Sequence, residues 1–139
     1  RLIDDYGHHP TEIAITQKTV RQAFPDRRIV MVFQPHRYTR TRDYFDQFVS
    51  VLSENTCLLL LPVYAAGESR IPDFDEQVLA DQIRQRGSVE PVLISDKRRL
   101  PILLIDVLRD EDILLMQGAG DIGRLADQLS SSSSLEELT

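Results

Sequence analysis

The sequence predicts an α/β fold, a mostly parallel sheet with helices on both faces, and three observations predict it. Short apolar runs of strand length recur along the chain, segments of helical period separate them, and every connection is long enough for a crossover. The 139 residues, 42% hydrophobic and 27% charged, suit one globular domain able to bury a core.

Strands are expected at residues 2–3, 29–33, 57–61, 92–94 and 113–116, where apolar side chains run on as they do in strands covered on both faces. The first run is too short to stand alone. Ile13, Val20 and Phe24 mark a first helical stripe, Phe45, Phe48, Val49 and Leu52 a second, and Val78, Leu79 and Ile83 a third. Leu103, Leu104, Val107 and Leu108 mark a fourth, and Ile122, Leu125 and Leu129 a fifth. Local punctuation agrees: Pro10 suits a first helical turn, Asp73 with Glu76 resembles a capping box, and Gly87 is placed to end the third helix. The serine run at 130–134 predicts a flexible tail over 130–139, leaving 1–129 as the folded domain.

No run of about 18 apolar residues is present, so no spanning helix is expected. The stretch 1–10 contains two aspartates and two histidines, unlike a signal peptide, and the protein is expected in the cytoplasm. The single cysteine, Cys57, opens a leucine run and reads as a small buried hydrophobe.

A formal charge of −6 argues against a general nucleic-acid binder. Its distribution is uneven, because residues 27–42 hold five arginines and one histidine with no acid, a stretch suited to a small anion. With Tyr38 and Tyr44 the same stretch offers a rival reading, a single-stranded nucleic-acid site built on charge and stacking, which the acidic total opposes.

In a parallel sheet ligands bind at the carboxyl ends of the strands. That rule selects the loops 4–10, 34–41, 62–70 and 117–121. The last runs into Gly118-Ala119-Gly120-Asp121-Ile122-Gly123, a G-x-G-x-x-G match. A dinucleotide site also needs a following strand with an acid about 20 positions on. Too little chain remains for one, so Gly118, Gly120 and Gly123 are expected to form a tight turn into the last helix.

The first loop, Asp4-Asp5-Tyr6-Gly7-His8-His9-Pro10, is dense in groups capable of chemistry. One Asp is expected to cap a turn and His9 the helix beginning at Pro10. His8 and His9 diverge in an extended loop, so no resident metal is expected. In the second loop Arg37 and Arg40 lie three apart before a helix whose amino terminus should also favour anions. Guanidinium groups fork onto carboxylates in two-point contact.

Three segments together, Asp4-Asp5-Tyr6-Gly7-His8-His9-Pro10-Thr11-Glu12, Phe33-Gln34-Pro35-His36-Arg37-Tyr38-Thr39-Arg40-Thr41 and Val63-Tyr64-Ala65-Ala66-Gly67-Glu68, resemble the C-terminal domain of the Mur ligases. Within that family the match is to the branch that joins L-alanine to UDP-N-acetylmuramate. The branch that attaches a whole tripeptide is the alternative, since it shares an Asp-His-His-Pro type of first loop. The resemblance implies a Rossmann-like amino-acid-binding domain of an ATP-driven ligase of peptidoglycan synthesis, acting through an acyl phosphate. It also implies a nucleotide-sugar domain and a central ATPase domain that pack against this one.

Nothing in the chain reads G-x-x-x-x-G-K-[ST], so ATP and Mg2+ are expected to bind mainly on the central domain, and this chain alone is expected to be inactive. By resemblance and chemistry together, Arg37 and Arg40 would clamp the alanine carboxylate or the developing phosphate, while His36, His8 and Tyr6 orient the amine and close the pocket. His8 or His36 is the candidate base. The resemblance implies that Asp5 reaches the bound nucleotide.

Overall fold

The structure, a computed structural model, describes residues 1–131. Strands β1 (Leu2–Asp5), β2 (Ile29–Phe33), β3 (Cys57–Leu60), β4 (Val92–Leu93) and β5 (Ile113–Gln117) form one sheet in the order β1-β5-β2-β3-β4, with every pairing parallel. The helices of the described residues are α1 (Pro10–Ala23), α2 (Tyr38–Asp43), α3 (Phe45–Leu52), α4 (Glu76–Arg86), α5 (Leu100–Val107) and α6 (Ile122–Ser131). None is long and apolar enough to cross a membrane.

Alternation along the strands divides the core between two faces. Met31, Phe33, Leu58, Leu60, Ile113 and Leu115 pack with α1, α3 and α4. Val30, Val32, Leu59, Leu61, Leu114 and Met116 pack with α5 and α6. The continuous apolar runs therefore feed two layers at once, which is why they show no polar face. The chain crosses from β1 to β4 with its helices on one face and returns to β5 through α5 on the other. Right-handed crossovers require that change of face when the direction reverses.

Several expectations are corrected. β1 runs past its apolar residues, because Asp4 and Asp5 pair in register with Met116 and Gln117 of β5. α2 carries no apolar stripe to announce it, since only Tyr38 and Thr41 of its residues are buried. Asp73 lies in a short 3-10 turn, and the N-cap of α4 is Asp75, whose carboxylate accepts from Val78 N at 3.0 Å. Gly87 does end α4, in the left-handed region at φ 78°. Of the expected tail, Ser130 and Ser131 close α6, and residues 132–139 lie outside the described residues.

The basic stretch 27–42 is not one patch. Arg28 stands at the amino end of β2, and the strand's five residues separate it from Arg37 by roughly 16 Å or more. Arg28 is committed there: its Nη2 meets Asp112 Oδ2 at 2.6 Å and Val107 O at 2.7 Å, tying the start of β2 to α5 and β5. Arg28 beside it holds the Asp112 carboxyl below the usual carboxylate range, outweighing the opposing effect of burial. The bridge thus contributes fully above about pH 4 and fades as the pH falls through the lowered folded-state value. Asp112→Asn is expected to cost about 1–3 kcal/mol, between the ranges for exposed and fully buried pairs, and to flatten the acid limb of stability. Urea unfolding of both proteins at pH 7 and pH 3 checks this, with the difference between them shrinking at pH 3.

Candidate functional site

β5 lies between β1 and β2, with Gln117 in register with both Asp5 and Phe33, so the loops leaving these strands start side by side. The connections from β1 and β2 turn to one face and that from β5 to the other, which opens a crevice at the carboxyl edge.

The first loop is held by side chains of its own strand edge. Asp5 Oδ1 accepts from Gly7 N at 2.7 Å and from Gln117 Nε2 at 2.9 Å, and Gln117 Nε2 also donates to Gly7 O at 2.7 Å. A Cβ on Gly7 would stand 2.8 Å from Asp5 Oδ1 and 2.9 Å from Gln117 Nε2, so a larger residue there would displace the side chains that hold the loop. Asp5 Oδ2 accepts from Thr16 Oγ1 at 3.2 Å. The nucleotide contact expected of Asp5 therefore meets a carboxylate already bonded at both oxygens. Asp4 faces the other way, toward α6, where burial first and then Asp127 and Asp5 push its carboxyl upward. Two acids on opposite faces of a strand do not converge on one cation, and the residues present do not fit a resident Mg2+.

His8 and His9 part as expected. His9 caps α1, its Nδ1 accepting from Thr11 N at 3.1 Å, while Glu12 Oε1 accepts from His9 N at 3.1 Å to complete a capping box. His8 instead faces His36, with ring centroids 5.2 Å apart.

Past the end of the sheet, β2 and β3 remain paired through their loops. Tyr64 N donates to Pro35 O and Arg37 N to Tyr64 O, both at 2.8 Å, which sets His36 opposite Tyr64. The result is an aromatic row: Tyr6 edges onto His8 at 5.8 Å, His8 leans on His36, and His36 stacks on Tyr64 at 5.6 Å with planes 17° apart. Burial first, then the charges of His8, Arg40 and Arg37, lower the His36 pKa, with Glu68 opposing. Among the described residues its Nδ1 is buried without a hydrogen-bond partner, and so is Arg40 Nη1. Neither Arg37 nor Arg40 pairs with an acid through a salt bridge among the described residues.

Gln34 ties the last loop to the site. Its Nε2 donates to Asp121 Oδ1 at 2.6 Å and its Oε1 accepts from Ile122 N at 2.9 Å, at the start of α6. A Cβ on Gly120 would lie 2.5 Å from Gln34 Oε1 and 2.7 Å from Tyr64 Cβ, and one on Gly118 would lie 2.8 Å from Gln34 O. Those glycines serve a close backbone approach to Gln34 and Tyr64, which explains the G-x-G pattern without a dinucleotide.

Two further expectations change. The amino end of α2 is not open to an anion, because Glu68 accepts from Thr39 N there at 3.2 Å. Tyr38 is buried, which removes one face of the supposed stacking platform. Sequence reasoning brought Tyr6, His8, His36, Arg37 and Arg40 to one edge but passed over Gln34, Thr39, Tyr64, Glu68 and Gln117, the residues that hold them. Their signal was position alone, in loops at the strand ends. A separate groove of about 510 Å3 between α5 and α6 is lined by Lys97, which pairs with Asp121, by Arg98, which pairs with Asp96, and by Arg124.

Residues 1–120 match the family described as "Mur ligase, glutamate ligase domain". The chain belongs to the Mur ligase family. Mur ligases are ATP-dependent ligases of peptidoglycan synthesis, and this chain matches their C-terminal domain. A UDP-N-acetylmuramate-alanine ligase from Thermotoga maritima superposes on 93% of this chain at 24% identity and TM-score 0.72, and the chain spans 25% of that protein's length. A murein peptide ligase from Psychrobacter arcticus shows the same fold at 15% identity and TM-score 0.72, covering 94% of this chain and 26% of its own. A domain from Haemophilus ducreyi, assigned to a UDP-N-acetylmuramate:L-alanyl-gamma-D-glutamyl-diaminopimelate ligase, superposes on 99% of this chain and 90% of its own length at 17% identity and TM-score 0.67.

The electrostatics of the Mur ligase domain's site give a direct test. The His36 ring is expected to titrate below the ordinary imidazole value of about 6.5. Arg40→Gln removes one of the charges that lower it, so the midpoint should rise toward that value. Side-chain NMR of the histidines across pH 4–9 reads both, and an unmoved midpoint in Arg40→Gln would show that Arg40 does not act on His36.

Proposed function

We propose that this domain holds L-alanine for an ATP-dependent ligase that joins it to UDP-N-acetylmuramate. The observation that carries the reading is that Arg40 Nη1 in α2 and His36 Nδ1 in the loop before it are buried without a hydrogen-bond partner among the described residues, as is Gln117 Oε1 at the end of β5. A buried donor left without a partner costs about 1–3 kcal/mol, so a folded chain tolerates one chiefly where something else completes the bond. A donor fork beside a neutral imidazole is complementary to a small zwitterion: the fork meets the carboxylate and the ring accepts a proton from the ammonium.

In the reaction proposed, the lactyl carboxylate of the sugar takes a phosphoryl group from ATP. The free amine of L-alanine attacks the acyl phosphate, the new amide forms, and inorganic phosphate leaves. The amine attacks only when unprotonated, and a ring whose pKa is lowered is neutral and able to accept that proton at pH 7. His36 is thus the better-supported base, with His8, tilted against it at 5.2 Å between ring centroids, as the alternative acceptor. Arg37 and Arg40 hold the alanine carboxylate or the departing phosphate, and Tyr6, 72% exposed at the rim, closes over the amine. Asp5 Oδ2, which has Thr16 as its one hydrogen-bond partner among the described residues, is the oxygen left to meet a nucleotide hydroxyl.

ATP, its Mg2+ and the sugar nucleotide are held mainly by other domains, which pack on this edge, and the reading places the enzyme in the cytoplasm. The choice of L-alanine over a tripeptide rests on the loop Gln34-Pro35-His36-Arg37-Tyr38-Thr39-Arg40-Thr41.

The test is Arg40→Lys in the ligase that contains this domain. Lysine keeps the charge and loses the fork, so kcat/KM for L-alanine is expected to fall about tenfold or more, equivalent to about 1.4 kcal/mol. The constants for ATP should change less. Steady-state kinetics with each substrate varied in turn decide it: a solvated surface arginine would leave every constant within twofold of wild type.

A further inference from the structure

The segment that carries both guanidinium groups is poorly made to hold its own shape. α2 has six residues, includes two threonines and an aspartate, and receives no side-chain bond from its N-cap, Arg37. Arg37 itself sits at φ 72°, a region that costs a non-glycine residue about 1–2 kcal/mol. Its carbonyl is held by Thr41, through N at 3.2 Å and Oγ1 at 2.9 Å.

The remaining hold comes from the loop after β3. There Glu68 N donates to Ala65 O at 3.0 Å across a turn whose central residues, Ala66 and Gly67, both have positive φ, as in type I′ turns. The turn delivers the Glu68 carboxylate to Thr39, where Oε1 accepts from Thr39 N at 3.2 Å and Oε2 from Thr39 Oγ1 at 2.5 Å. The bond from the Thr39 hydroxyl, more than the backbone bonds or the Arg37 charge, lowers the Glu68 pKa, so the group is ionised at neutral pH. Glu68 is therefore an anion that feels the charge of Arg37 yet, among the described residues, forms no salt bridge with Arg37 or Arg40.

We propose that Glu68 is a positioning residue of the site: by accepting both bonds from Thr39 it fixes the start of α2, so that Arg37 and Arg40 stand beside His36 with their forks free for a ligand anion. The inference rests on the reading of Arg37 and Arg40 as an anion clamp.

The sign of one substitution separates position from charge. A carboxylate near an anion site repels the anion, so if Glu68 acted by charge alone, Glu68→Gln would tighten anion binding. If it acts by position, Glu68→Gln loosens binding although a repulsive charge has gone. Thr39→Val removes the hydroxyl donor with no change of charge, and Thr39→Ser keeps it.

Inorganic phosphate is titrated into the 139-residue chain at pH 7.5, followed by the backbone amides of residues 37–41. Glu68→Gln and Thr39→Val are each expected to weaken binding at least fivefold, the double variant no more than the worse single one, and Thr39→Ser to stay within twofold of wild type. Should Thr39→Val fail to fold, Glu68→Gln alone still decides the sign. Tighter binding by Glu68→Gln overturns the proposal, as do equal binding by all variants or strictly additive losses. A wild-type chain whose amides ignore phosphate defeats the clamp reading itself, and this inference with it.

Discussion

The site depends on the insertion of β5 between β1 and β2. A strand laid down last in sequence occupies an inner position, so its carboxyl end must be received by two loops already in place. Gln117 makes that junction. It is fully buried, its amide nitrogen bonds Asp5 and Gly7, and its backbone carbonyl accepts from Gln34 N at 3.1 Å. The bonds of its amide nitrogen and backbone carbonyl fix how the first and second loops sit relative to each other, while its Oε1 is buried without a partner among the described residues. The approach of His8 to His36 follows from that register rather than from any attraction between two imidazoles.

The strands and most helices were legible because they obey rules of burial that a sequence states directly. Residues 29–33 and 57–60 are apolar on both sides since helices cover both faces, and Gly87 stops α4 because it alone enters the left-handed region without strain. α2 was not legible for the converse reason. It buries little, has poor intrinsic propensity, and is held by Glu68 from a loop nearly thirty positions away. Asp75 in place of Asp73 as the cap of α4 is a finer case: the capping-box spacing to Glu76 singled out Asp73, but Asp73 lies in the 3-10 turn before the helix, and Asp75, bonded by Arg70, caps α4.

The chemistry-bearing residues showed the same division. His8, His36, Arg37 and Arg40 stood out because their types are rare in ordinary turns and their loops fall at strand ends. Gln34, Thr39 and Gln117 are unremarkable by type, and their importance lies in which carbonyl or amide they reach. The glycine motif was ambiguous on its own for a related reason: a close approach by a glutamine and a tyrosine demands the same absence of Cβ as a close approach by pyrophosphate. Only the neighbours distinguish the two cases.

The distribution of charge completes the argument. Burial and nearby cations keep His36 toward its neutral form, while guanidinium groups stay charged at any accessible pH. An acid paired with those arginines would have quenched them, as Asp112 does Arg28 at the far end of β2. Glu68 supplies negative charge nearby, yet its oxygens are taken by Thr39. The edge therefore holds its cations in place without using up their hydrogen bonds. Arg40 Nη1 is left buried and unmatched among the described residues, a state that favours binding because the donor has already been removed from water before its acceptor arrives.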